Sequence, residues 1–205
     1  MENRQQPRRP TNLKVKTVLK TGGEYKPEHV FRIKNMLEKY IKAKYEFICL
    51  TDDSSLLNNT NITTRKLVHN WPSWWSKIEL FKDIEESFYI DLDMTINGDI
   101  TDIATCETDF LSLRNLAPSI SGIGSAIMRW SGDKTFIYNT FKKQPEHYMK
   151  INNKRGTNKW GDQSFIWEIM DGKIEFLQDR FPNRIGRFRV PNKDINIFYG
   201  RKRPW

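Results

Sequence analysis

The run Phe88 to Ile103, FYIDLDMTINGDITDI, constrains this 205-residue chain more than any other stretch. Phe88, Tyr89 and Ile90 are strand-forming and apolar, and the run stops at Asp91-Leu92-Asp93. A short apolar segment ended by acids predicts a buried strand whose C-terminal edge carries two carboxylates. In open α/β sheets that edge is where ligands bind. Alternate residues of extended backbone share a face, so Asp91 and Asp93 are expected on one side, close together. Like charges so placed need a cation between them, and hard carboxylate oxygens suit a divalent ion held jointly with the phosphates of a nucleotide. A bare Asp-x-Asp equally fits two solvated aspartates in a turn, so its surroundings have to decide.

A chain of 205 residues holds one α/β core comfortably, not two. The expected organisation is a short, disordered basic arm over residues 1–12, MENRQQPRRPTN, followed by a single domain over 13–205. The arm has no apolar core of a leader, and no run of about 18 apolar residues occurs anywhere, so neither a signal nor a transmembrane segment is expected. Cys49 and Cys106 lack metal-ligand spacing and read as reduced thiols of a cytoplasmic protein. The formal net charge of +9 favours an anionic partner: nucleotide phosphates first, with nucleic acid or an anionic lipid surface as wider alternatives.

Two separated sets of residues carry a family resemblance. The segments WSKIELF, IEESFYIDLD and INGDITDI place Lys77 before the strand, Asp91 and Asp93 at its end, and Gly98-Asp99 after it. In that order they resemble the donor-binding region of metal-dependent glycosyltransferases of the GT-A fold. The likeness is to the glycogenin and lipopolysaccharide galactosyltransferase type and its small bacterial and prophage relatives. The ending FYGRKRPW, Phe198 to Trp205, is similar to the Phe-x-Gly-x-x-Lys-Pro-Trp ending of the same enzymes. The resemblance implies a Rossmann-like α/β domain, a mixed central sheet flanked by helices, acting as a monomer on a UDP-sugar. It further implies Mn²⁺ or Mg²⁺ on Asp91 and Asp93, with Leu92 between them in the donor site. Lys77 would contact donor phosphate and carboxylate.

Along the chain, Leu13 to Lys20 reads as the first strand, and Thr21-Gly22-Gly23 as a tight turn whose amides approach a ligand. By resemblance this strand end holds base and ribose, implicating Lys20, Thr21, Gly22 and Tyr25. Pro27 and Glu28 open a scaffold helix with Val30, Ile33, Leu37, Tyr40 and Ile41 on its apolar face. Tyr45 to Leu50 reads as a second buried strand ending in Asp52-Asp53, acids that either reach the nucleotide or cap a turn. Ser54 to Thr64 reads as a surface loop. Trp71, Trp74 and Trp75 read as a packed corner before a KIELF helix with Lys77 at its start.

After Asp109 to Leu113, another strand, Gly124 and Ser125 occupy the place of the family's Asn-Ser-Gly stretch, where small residues let the donor sugar lie against the backbone. Asp133 to Gln144 predicts a helix with Phe136, Ile137 and Phe141 inward. Lys154, Arg155, Lys159 and Trp160 form a basic loop, read either as solvated or as meeting a phosphate-bearing acceptor. Asp162-Gln163 opens the next helix and resembles the family's Asp-Gln motif beside the reacting sugar carbon. There a carboxylate serves as general base or orients the acceptor hydroxyl, and a neutral amide faces the anomeric centre in retaining enzymes. In the ending, Lys202 or Arg203 would neutralise the leaving diphosphate, with Gly200 allowing close approach. Ile197 and Tyr199 stand where relatives place a histidine ligand. The acceptor readings are a hydroxymethylated base of phage DNA, or a cell-surface or lipid-linked saccharide. The rival class is a non-catalytic nucleic-acid-binding protein on the same fold.

Overall fold

The computed structural model describes residues 13–58, 60–115, 122–153, 158–198 and 203–205. The expected basic arm, Lys154 and Arg155, and Tyr199, Gly200, Arg201 and Lys202 lie outside them. The strands are β1 (Lys14–Leu19), β2 (Glu46–Thr51), β3 (Thr63–Lys66), β4 (Ser87–Ile90), β5 (Met94–Ile96), β6 (Phe110–Arg114), β7 (Ile123–Trp130), β8 (Glu175–Phe176), β9 (Ile185–Arg187) and β10 (Ile195–Ile197). The helices are α1 (Pro27–Tyr40), α2 (Thr101–Thr105), α3 (Thr135–Lys143), α4 (Pro145–Ile151), α5 (Gly161–Ile169) and α6 (Leu177–Arg180), with 3-10 turns at Ser54–Leu57 and Ser73–Phe81.

A seven-stranded sheet runs β3-β2-β1-β4-β7-β6-β8, with β3, β2, β1 and β4 mutually parallel. Strand β7 is antiparallel to both neighbours, β4 and β6, which makes the sheet mixed as expected. Parallel strands covered on both faces read as continuous apolar runs, which is why β2 and β4 are visible in the sequence. Side-chain parity then sorts the core into two layers. Val15, Leu19, Phe47, Phe88 and Ile90 pack toward α1. Val18, Ile48, Leu50, Tyr89 and Trp130 pack toward the Ser73–Phe81 turn, α3 and α5. A second sheet, β5-β10-β9, folds the C-terminal segment back onto the residues that follow Asp93, with Ile197 opposite Met94. No helix among the described residues is long and apolar enough to cross a membrane.

Several local expectations are corrected. The Ser54 to Thr64 loop contains a 3-10 turn and runs into β3, an edge strand with no buried residue. The segment around Lys77 is a 3-10 turn beginning at Ser73, so Lys77 sits at its middle and not at its start. In α3 Phe136 points to solvent, and Tyr138 joins Ile137 and Phe141 inside. Helix α1 starts at Pro27, with His29 Nδ1 accepting from the Lys26 amide, and its inward residues Val30, Ile33 and Leu37 are as read. It is more than scaffold, because Arg32 donates to the Leu92 carbonyl beside the Asp-x-Asp motif.

Candidate active site

Strand β4 runs out at Ile90, and the chain carries Asp91 on the parity of Tyr89, toward the Ser73–Phe81 layer. The Asp91 amide still donates to Ala126 of β7 at 2.9 Å, so its backbone belongs to the ladder. Its carboxylate accepts from the Tyr89 hydroxyl and from Lys77 Nζ at 3.1 Å. A turn through Leu92 then swings Asp93 to where the α1 layer reaches it. Tyr25 donates its hydroxyl to Asp93 Oδ2 at 2.9 Å, and Arg203 donates to the same oxygen at 3.1 Å. Each carboxylate is held from a different layer of the fold, so the expectation that extended backbone puts both on one side is corrected: the turn at Leu92 and Asp93 breaks the alternation. Burial, with the Asp91 charge behind it, pushes the Asp93 carboxyl up to about 6.

Lys77 joins the motif to the far end of the domain. Its ammonium lies 3.1 Å from Asp91, 3.2 Å from Ser125 Oγ in β7, and 3.6 Å from Asp162 in the first turn of α5. Burial alone would lower the lysine pKa; Asp162 and Asp91 outweigh it and raise it, so the ammonium stays charged. Asp162 is itself buried, its carboxyl is pushed up by that burial, and its Oδ2 has no hydrogen-bond partner among the described residues. That oxygen faces Lys77 at 3.6 Å, an ion pair too long to be a hydrogen bond, so its hydrogen-bonding capacity is open to a ligand.

A second group lies at the ends of β1 and β2. Asp52 accepts from Lys20 Nζ at 2.6 Å, from the Thr21 amide at 2.9 Å and from the Thr21 hydroxyl at 2.7 Å. Burial works against the charged form, but these bonds win and hold the carboxyl at about 2. Gly22, with φ of +81°, makes the turn beside them. Asp53 takes the other role left open for the pair and caps the following 3-10 turn through Ser55.

The structure thus brings Tyr25, Lys77, Asp91, Asp93, Ser125, Asp162 and Arg203 into one cluster. Gln163 is half-buried in the same helical turn as Asp162, and Gly124 lies against Leu113 of β6. The Leu92 side chain is in the core, leaving its backbone as the part that faces partners. Gly200 and Lys202 lie outside the described residues, so Arg203 is the basic residue of the ending that can be followed. Three participants were not foreseen. Glu24 anchors Arg203, Tyr89 anchors Asp91, and Trp205 stacks on His29 with ring centroids 3.8 Å apart. Tyr89 left a sequence signal in its two-residue offset from Asp91, and Trp205 in the matched ending, though its stacking on His29 did not.

The donor set suits a hard divalent ion: carboxylates at a strand end, outnumbering the cations that touch them. Among the described residues no group of three His, Cys, Asp or Glu side chains is arranged to hold a metal. Ile197, at the position of the family's histidine, is buried in the core and offers no ligand.

No protein-family model and no curated protein sequence matches the chain. Solved structures do. The apo form of the glycosyltransferase GlyE from Streptococcus pneumoniae TIGR4 superposes with a TM-score of 0.65 at 12% identity, over 95% of this chain and 56% of that one. The galactosyltransferase LgtC, in complex with donor and acceptor sugar analogs, superposes with a TM-score of 0.62 at 10% identity, over 94% of this chain and 89% of that one. An active-site mutant of LgtC matches equally, with a TM-score of 0.63. This chain spans little more than half of the GlyE chain and most of the LgtC chain. The mixed seven-stranded sheet flanked by helices is the GT-A fold seen in these glycosyltransferases.

Proposed function

We propose that the chain is a metal-dependent glycosyltransferase that moves a sugar from a UDP-sugar to an acceptor hydroxyl. The observation that carries this reading is Lys77 lying between Asp91 at the end of β4 and Asp162 at the start of α5. The pair joins a place for a diphosphate to a place for a reacting hydroxyl. Neighbours of the same fold include a galactosyltransferase solved with donor and acceptor sugar analogs, which supports the same class.

In this reading Lys20, Thr21, Gly22 and Asp52 take the base and ribose, and the Asp52 carboxylate is a natural acceptor for a uracil imide N–H. Asp91 and Asp93 would hold Mn²⁺ or Mg²⁺, which when bound supplies positive charge to the departing diphosphate. Lys77 and Arg203 add fixed cations to the same leaving group, already in position before reaction. Gly124 and Ser125 give the sugar room along β7. Asp162, its carboxyl raised by burial, receives the acceptor hydroxyl and is suited to take its proton, with the Gln163 amide beside the anomeric carbon. The enzyme would work as a monomer in a bacterial or phage-infected cytoplasm, a placement that suits the unpaired Cys49 and Cys106. A hydroxymethylated base in phage DNA is one acceptor reading, favoured by the net charge of +9, and a cell-surface or lipid-linked saccharide is the alternative.

The test is thermal unfolding with UDP, with and without Mn²⁺, for the wild type and Asp93→Asn. Ligand binding to the native state raises the midpoint by mass action. A metal-dependent rise in the wild type and none in Asp93→Asn is expected, together with a loss of sugar transfer by orders of magnitude. No rise in either protein would turn attention to the non-catalytic nucleic-acid reading.

A further inference from the structure

Of the seven tryptophans, Trp71, Trp75 and Trp130 are core residues and Trp167 is half-buried, whereas Trp74 is 37% and Trp160 61% exposed. Trp205 is half-exposed but stacked on His29, while Trp74 and Trp160 have no ring or cation stacked on them among the described residues. These two meet at one point. A Cβ built on Gly161 would lie 2.5 Å from Trp74 Nε1, so the Trp74 indole rests directly on the Gly161 backbone, next to Trp160. Both chain segments turn through left-handed backbone there, Ser73 at φ of 52° and Gly161 at 63°. The Gly161 amide donates to the Asn152 carbonyl at 2.7 Å, and the Trp160 amide to Ser164 Oγ at 2.6 Å, which fixes the backbone carrying the indoles. The next residue is Asp162, buried, its Oδ2 ion-paired with Lys77 at 3.6 Å but without a hydrogen bond.

We propose that Trp74 and Trp160 form the platform on which a neutral saccharide acceptor stacks, presenting a hydroxyl to Asp162; this rests on the glycosyltransferase reading above. An indole offers an electron-rich face to the C–H face of a sugar ring. Trp160 caps the helix whose first turn carries Asp162, so a ring seated on the pair lies at the chain turn that bears the carboxylate. Lys159, the neighbouring cation, pairs with Glu168 at 2.5 Å, so its charge is met within the chain, as a neutral saccharide on the indoles would leave it.

The experiment is saturation-transfer NMR with aromatic irradiation, on the full chain with UDP and Mn²⁺, using lactose, maltose and cellobiose in one arm and a short oligothymidylate in the other. Saturation should reach the ring protons of at least one disaccharide. Its apparent Kd should rise about 2- to 12-fold in Trp74→Ala and in Trp160→Ala, the range an aromatic stacking contact supplies. UDP should be saturated equally in all three proteins. Trp160, being the more exposed, can be removed with least risk to the fold. The proposal is overturned if no disaccharide is saturated while UDP is. It is equally overturned if both variants bind the sugar as the wild type does, or if the tryptophans prefer the oligothymidylate. Absence of UDP saturation in the wild type defeats the glycosyltransferase reading itself, and the platform with it.

Discussion

Lys16 is buried and Lys77 nearly so, both lie on the same side of the large sheet, and each meets a carboxylate at one end of β4: Glu85 just before it, Asp91 just after it. Around Lys16 the ion cluster is closed. Glu85 takes Lys16 at 2.7 Å and both terminal nitrogens of Arg65, and the indole of Trp130 covers the ammonium at 5.5 Å. Asp83 also meets Arg65, so two cations face two acids, and burial draws the Lys16 pKa down. Around Lys77 the acids are in excess, Asp91, Asp93 and Asp162 against Lys77 and Arg203. Asp91 and Asp162 both contact it, Asp93 lies beyond, and one Asp162 oxygen has no hydrogen bond. Both clusters have many charges; what distinguishes the candidate active site is that its negative charge is left unbalanced, ready for a cation that is not part of the chain.

Substituting each lysine should separate the two cases. Lys77→Met should lower sugar transfer from UDP-sugar by about 100-fold or more, the effect of removing one fixed group that stabilises developing charge. Unchanged turnover would make Lys77 a second structural lysine and break the comparison. Lys16→Met should leave turnover alone and cost about 3 kcal/mol of stability in denaturant unfolding, because Glu85 loses a buried partner but keeps Arg65. A fall in turnover without a fall in stability would contradict this.

The smallest effect is one of pH. Burial acts against the charged Glu85, yet Arg65 and Lys16 hold its carboxyl at about 2, below the unfolded value. Its stabilisation is therefore complete above the ordinary glutamate pKa and is lost as pH falls toward 2. Glu85→Gln should flatten the acid limb of stability against pH over that window. An unaltered limb would remove Glu85 from the account of acid unfolding.

The sequence made the central strands, α1 and the Asp-x-Asp edge readable because each is a local pattern: apolar runs, a Pro at a helix start, acids at a strand end. Strand β3 escaped because an edge strand with no buried residue carries no apolar signal, and TTRK looks like loop. Lys16 looked like the polar half of an alternating strand, but β1 is central and covered on both faces, so its ammonium had to be paired inside. Strands β9 and β10 are three residues each, too short for any period to show. In the site, Asp91, Asp93 and Lys77 were marked by order along the chain. The Glu24–Arg203 pair was not, since nothing local joins residues 179 apart.

That span has a consequence for how the protein comes into being. The contacts that gather the site join residues 48, 68 and 110 positions apart: Lys77 to Ser125, Tyr25 to Asp93, and Arg203 to Asp93. Closing long loops is entropically costly and slow, and synthesis delivers the chain from its N-terminus. A nascent chain emerging from the ribosome can bury β1, α1, β2 and β4 well before Arg203 exists. In that interval the Arg203 partner of Asp93 and the strand β10 that pairs β5 are both still to come, so the large sheet can form before the site is complete.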